Sequence, residues 1–314
     1  MTSQLDALSV HSTVVADTGD LSAIARYRPQ DATTNPSLML QAAADPRHAS
    51  MIDDVLVRTP RSADCLDELH VEFGCRILGM IPGRVSTEVD ARLSFDAAAT
   101  EARAQRLLER YAASGIHTDR VLIKIAGTWE GVRAAARLER QGVHCNLTLI
   151  FSLAQAVACA DAGVTLVSPF VGRIHDWHLH AQGLTEIARE ADPGVASVRR
   201  IYQYYKQFGY STQVMGASFR KTTQILDLAG CDLLTISPGL LGELAARPGA
   251  VSRCLDPVSA RAAGFDKLQL DEAGFRWQHN EDPMAVDLLA NGIRRFAADT
   301  RELEKVIAAR RGVA

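Results

Sequence analysis

Residues 120–127 read RVLIKIAG, and this stretch decides the fold. Val121, Leu122, Ile123 and Ile125 bury both faces of a strand, the habit of a strand inside a parallel sheet. Lys124 stands among them. An ammonium there loses hydration that apolar neighbours cannot replace. The lysine therefore either finds a partner or water, or is held where it gives up its proton.

Outward from this strand, β-rich runs recur at 12–19 (STVVADTG), 31–37 (DATTNPS), 83–90 (GRVSTEVD), 143–150 (VHCNLTLI), 164–172 (VTLVSPFVG), 211–218 (STQVMGAS) and 233–237 (LLTIS). Between most of them lie helical stretches: 96–115, 128–142, 152–163 with a Ser152/Gln155 capping box, 197–209 and 221–230. Gly142, Gly163, Gly209 and Gly230 stand at C′ positions. Strands alternating with helices across 314 residues, with no Pro/Ser-rich linker, predict an α/β protein, a single (β/α)8 TIM barrel spanning 1–314. An open doubly wound sheet is the runner-up. Segments 181–197 and 247–281 read as irregular insertions. Asp282 and Pro283 start a last helix, about 283–311, expected to pack on the barrel or on a partner subunit.

Composition narrows the function. A 47% hydrophobic content is ample for a core, and a formal charge of −3 argues against nucleic acid as partner while leaving room for a local basic pocket. Six cysteines without a CxxC pair, several in apolar segments, predict reduced thiols and a cytoplasmic protein. The first residues lack a basic region followed by an apolar stretch, and no apolar run approaches the roughly 18 residues of a membrane span. No membrane association is expected.

Strand side chains alternate between faces, so the polar residues can be sorted by parity. In 83–90, Arg84, Ser86, Glu88 and Asp90 oppose Val85, Thr87 and Val89. Lys124 shares its face with Leu122 and Ala126; Asn146 and Thr148 oppose Cys145, Leu147 and Leu149. Asp17 opposes Val14 and Ala16, Thr33 goes with Asn35, and Ser168 and Ser218 fall near the ends of their runs. In a barrel the apolar parity meets the helices and the other faces inward. Asp17, Asn35, Glu88, Lys124, Asn146 and Thr148 are thus expected to line one pocket. Taken singly, Asp17, Thr33, Asn146 and Thr148 have structural explanations, as caps or turn residues. Glu88 and Asp90 can pair with Arg84 or Arg92, and a buried ion pair is the best structural reason for Lys124.

A desolvated lysine can attack a carbonyl and form an imine, whose protonated form is an electron sink. Cleaving a β-hydroxy ketone needs that sink and acid/base groups for the hydroxyl proton and for carbinolamine dehydration; Asp17 and Glu88 can supply them. This is class I aldol chemistry, with no metal and no organic cofactor.

The motifs VVADTGD, PQDATTNPSL, GRVSTEVDARLS, LIKIAGTWEG, CNLTLIFS, SPFVGRI, VMGASFR and WQHN with DPMAVDLLA resemble those of the transaldolases, in order over nearly the whole chain. The resemblance implies a class I aldolase type of barrel with extra helices, usually a homodimer, acting in the pentose phosphate pathway on sugar phosphates. The implied reaction moves a dihydroxyacetone unit from sedoheptulose 7-phosphate to glyceraldehyde 3-phosphate, giving erythrose 4-phosphate and fructose 6-phosphate. By the same resemblance Lys124 is the Schiff-base nucleophile, Asp17 the acid/base at the C4 hydroxyl, and Glu88 with Thr148 the pair that positions and activates water. Asn35 and Asn146 hold the dihydroxyacetone hydroxyls with Thr33 and Ser168 close by, and Arg173, Ser218 and Arg220 bind phosphate. Gly127, Lys221, the loop IHDWHLH after Arg173 and a short 51–75 region depart from the family pattern. His175, Asp176, His178 and His180 raise a rival, a metal-dependent enzyme, although they lack the fixed helical i,i+4 pair of histidines. Two further readings fit the same residues: a simple aldolase that releases dihydroxyacetone, and a non-catalytic sugar-phosphate-binding barrel.

Overall fold

The computed structural model describes residues 2–59 and 62–312, and within them each β-rich run becomes a strand. These are β1 (Thr13–Asp17), β2 (Asp31–Thr33), β3 (Val85–Glu88), β4 (Val121–Ala126), β5 (Cys145–Ile150), β6 (Leu166–Pro169), β7 (Gln213–Gly216) and β8 (Leu233–Ile236). Each pairs in parallel with the next, and β8 returns to β1, closing the barrel. Helices on the outside make it a (β/α)8 barrel, and the open sheet is excluded.

The two parities separate as the side chains require. Val14, Ala16, Val85, Val121, Ile123, Ile125, Cys145 and Leu147 join the core between strands and helices. Val15, Leu122, Leu166, Met215 and Leu233 make an apolar plug inside the barrel. At the N-terminal end of the barrel Arg84 reaches Asp31 at 3.2 Å and Gln213 at 3.1 Å. The plug leaves the polar inward residues only the C-terminal mouth to open to.

Strand β5 departs from strict alternation. Leu149 adopts a left-handed backbone with φ 56°, and the β5/β6 register shifts between Leu147 and Ile150. Ile150 therefore takes the outward place, while Leu149 joins a cluster with Phe170, Ala285, Leu289 and Phe296. Gln155 holds the bend: its amide donates to Gly127 O at 2.8 Å and Leu149 O at 3.1 Å, and its carbonyl accepts from Phe151 N at 2.9 Å.

Three segments are more regular than their sequence suggests. IHDWHLH is not a loop but lies within the helix Gly172–Ala181, which no side chain caps, so the usual start signal is missing. The 181–197 insertion ends at Pro193, where the helix Pro193–Phe208 starts under an Asp192 cap. The 247–281 region contains the helices Pro257–Ala260 and Glu272–Asn280, capped by Asp256 and Asp271. The last helix, Pro283–Arg310, is capped by Asp282 and packs on the Pro36–Ala44 helix, the Gly172–Ala181 helix and β5. It passes beside the mouth on Gly292, where a Cβ would lie 2.7 Å from Leu149 and 3.4 Å from Arg173 Nη1.

Candidate active site

The mouth holds a cavity lined by Asp17, Thr33, Asn35, Lys124, Thr148, Ser168, Arg173, Ser218 and Arg220, together with Phe170, Met215, Ala217, Phe219, Thr235 and Ser237. Asp17, Asn35, Lys124 and Thr148 thus come together as their strand parity requires. Glu88 and Asn146 differ: they lie behind the lining, not in it. Asn146 is fully buried and its amide is satisfied there, donating from Nδ2 to Ser86 Oγ at 3.0 Å and accepting on Oδ1 from Ser168 Oγ at 2.6 Å. Glu88 sits behind the lysine.

Lys124 stands in the middle of β4's inward row, between Leu122 and Ala126. Its Nζ lies 3.1 Å from Glu88 Oε2 and donates to Thr34 O at 3.0 Å. The buried ion pair that a structural reading of this lysine requires is thus present. Glu88 makes it with neither Arg84 nor Arg92, which pair with Asp31 and Asp90. Such a pair is a weak source of stability, since desolvating two charges offsets most of their attraction. Its position, with Lys124 on the cavity wall, is the informative part.

Asp17, at the end of β1, accepts from Thr33 Oγ1 at 2.9 Å, and Thr33 in turn meets Thr235 Oγ1 at 2.8 Å. Burial raises the Asp17 carboxyl above its ordinary range, opposed by Lys124, the Thr33 hydrogen bond and Arg173. Burial raises Glu88 as well; the charge and hydrogen bond of Lys124 and the charge of Arg173 pull it down, and Asp17 adds to the rise. Both carboxyls hold protons more tightly than free ones, which suits groups that must accept and return them. Thr148 Oγ1 is buried with no hydrogen-bond partner among the described residues, and so is Arg173 Nη1. Asn35 spends its carbonyl on the cap of the Pro36–Ala44 helix, accepting from Leu38 N at 3.0 Å, which leaves its NH2 for a ligand.

The cationic side is built differently. Arg173 stacks over Phe170 and Phe296, with its guanidinium carbon 4.8 Å and 5.5 Å from the ring centres. Burial, then the charges of Arg295 and Arg220, pull it down to about 10 against the pull of Glu88 and Asp17. The charge of an anion placed here would offset both causes. Arg220 Nε donates to Asp176 Oδ2 at 2.8 Å, and Ser218 has a left-handed backbone with φ 60°.

The metal rival finds no support in the arrangement. His175 turns to Asp192, 2.9 Å from its Oδ2, and Asp176 is taken by Arg220. No group of metal-ligating side chains converges among the described residues. Thr235 and Ser237 also line the cavity without having been expected there, although LLTIS places them opposite Leu234 and Ile236. Phe170, Ala217 and Phe219 lie at strand ends, where alternation gives no signal.

Residues 14–307 match the family described as Transaldolase/Fructose-6-phosphate aldolase. The chain is similar to a protein named Transaldolase from Edwardsiella ictaluri, 55% identical over 98% of this chain and 99% of that protein. It is also similar to proteins of that name from Sus scrofa and Rattus norvegicus, 55% and 54% identical, each over 99% of this chain and 95% of the relative.

Proposed function

The chain belongs to the transaldolase/fructose-6-phosphate aldolase family, and on that premise we propose that its barrel mouth carries out transfer by way of a Lys124 imine. The activity is that of a transaldolase: a dihydroxyacetone unit passes between sedoheptulose 7-phosphate and glyceraldehyde 3-phosphate, in the pentose phosphate pathway. The observation that carries the residue roles is one amine that lines a cavity with Asp17, Arg173 and Arg220 and has Glu88 3.1 Å behind it.

Lys124, once it has passed a proton to Glu88, attacks the donor ketone and gives a carbinolamine. Glu88, with the otherwise unpartnered Thr148 hydroxyl, holds the water that leaves and later returns. Asp17 takes the C4 hydroxyl proton, the C3–C4 bond breaks, and its electrons pass into the protonated imine. The aldehyde departs and an enamine stays on Lys124. Addition of the acceptor aldehyde reverses the sequence, with Asp17 returning its proton. Asn35 and Ser168, with Thr33 and Asn146 supporting them, hold the dihydroxyacetone hydroxyls. Arg173, Arg220 and Ser218 take the phosphate, since guanidinium offers directed donors to phosphate oxygens.

We also read the chain as one domain that works as a cytoplasmic homodimer. In support, its cysteines are all unbridged, and no described helix is long and apolar enough to cross a membrane. Product analysis tests transfer against simple cleavage. Fructose 6-phosphate with erythrose 4-phosphate is expected to give sedoheptulose 7-phosphate. Release of free dihydroxyacetone at a comparable rate without an acceptor would assign the chain to the simple aldolases instead.

A further inference from the structure

Beneath the two rim arginines lies a buried polar triad that the reaction does not use. His175, Asp192 and Gln224 are exposed by only 6%, 2% and 1%. Asp192 Oδ1 accepts from Gly194 N at 3.0 Å and Val195 N at 3.3 Å, capping the Pro193–Phe208 helix. Its Oδ2 accepts from Gln224 Nε2 at 2.9 Å and lies 2.9 Å from His175 Nδ1. The other end of Gln224, Oε1, accepts from Arg220 N at 2.8 Å.

Gln224 stands in the first turn of the helix Thr222–Leu226, whose cap residue Lys221 makes no side-chain capping bond. A glutamine in that turn commonly reaches back to the cap residue's own N–H. Here it reaches one residue further, to Arg220. Gln224 and Asp192 thus tie the loop that carries Arg220 to the start of the Pro193–Phe208 helix, and His175, on the helix that carries Arg173, lies against Asp192 with its Nδ1 making no hydrogen bond among the described residues. A close approach pins the same loop: Gly172 N donates to Ser218 O at 2.7 Å, and a Cβ on Gly172 would lie 2.8 Å from Arg220 Cγ.

We propose that Gln224 and Asp192 are positioning residues that hold Arg220 at the angle phosphate needs. Rotating Gln224 would aim its NH2 at the Arg220 N–H, donor against donor, and rotation of Asp192 is held by its capping bonds. The orientation of the Arg220 backbone is therefore locked by partners that cannot reverse. This inference rests on the phosphate role given to Arg220 above.

The test compares kcat/KM for glyceraldehyde 3-phosphate with that for D-glyceraldehyde as acceptor, fructose 6-phosphate being the donor. Gln224→Met and Asp192→Asn are each expected to cut the phosphorylated value by about tenfold, the scale of one lost buried hydrogen bond. The unphosphorylated value should hold to within about twofold. The double variant Asp192→Asn with Gln224→Glu reverses the polarity of the bond while keeping the cap and the acceptor for Arg220 N, so it should regain most of the loss. Equal losses on both acceptors, no loss on either, or a double variant no better than the singles would overturn the proposal. Arg220→Ala separates the two layers: if it penalises both acceptors alike, the phosphate role itself fails.

Discussion

In the proposed mechanism Lys124 carries the chemistry because of what surrounds it: an apolar strand on its flanks, Glu88 at 3.1 Å on the adjoining strand β3, and the Asp17 carboxyl of β1 lining the same cavity. Lys124→Arg keeps a cation beside Glu88 but removes a nucleophile that can lose its proton, so kcat should fall to background in a coupled assay. Asp17→Asn should still form the imine and then stall, seen as an adduct that accumulates before reduction. The same variant reports on stability. The folded-state proton affinity of Asp17 is raised, so its ionised form opposes folding, and stability is lost as pH rises from the ordinary carboxylate range through the raised value. Asp17→Asn should therefore raise Tm at pH 8 and lose that advantage toward acid pH, where the wild-type carboxyl is neutral in both states. Unchanged Tm at every pH would remove burial as the cause. Parity in the sequence was enough to bring Asp17, Asn35, Lys124 and Thr148 together. It could not separate Glu88 and Asn146 from the wall, because alternation gives the face of a residue and not its access to the cavity: both are register partners of Lys124, yet of the three Lys124 alone lines it.

At the scale of elements, the last helix closes on the mouth through a single missing side chain. Alanine at position 292 ordinarily favours a helix by up to about 1 kcal/mol, yet its Cβ would meet Leu149 at 2.7 Å. Gly292→Ala should destabilise by about 1–3 kcal/mol, the cost of overpacking, and should weaken phosphate-bearing substrates through Arg173. Gly239→Ala is the contrast, since an added Cβ there, in the helix Pro238–Ala246, meets nothing within 4 Å among the described residues; it should stabilise by about 0.5 kcal/mol in denaturant unfolding. Opposite signs at these glycines would contradict the role given to packing. The Asp282 cap and Pro283 made this helix legible. Gly172–Ala181 was not, because its start has no capping side chain and its histidines suggest a polar loop. The bend at Leu149 was hidden for another reason: the glutamine that stabilises it, Gln155, reads in sequence only as half of a capping box.

For the whole molecule, the alternation of strands and helices sufficed to give the barrel, since a closed parallel sheet is the arrangement in which every apolar outer parity finds a helix to cover it. What alternation could not supply is the apolar plug, which directs the polar residues to one mouth and makes a single cavity of them. The proposed homodimer predicts a solution mass of twice 34.0 kDa in sedimentation equilibrium, and a monomer at assay concentrations would refute it. The most direct test of the imine mechanism is borohydride reduction in the presence of fructose 6-phosphate, followed by peptide mass analysis. A reduced dihydroxyacetone adduct is expected on Lys124 and none in Lys124→Arg; an active enzyme that yields no adduct, or one on another lysine, would contradict the mechanism.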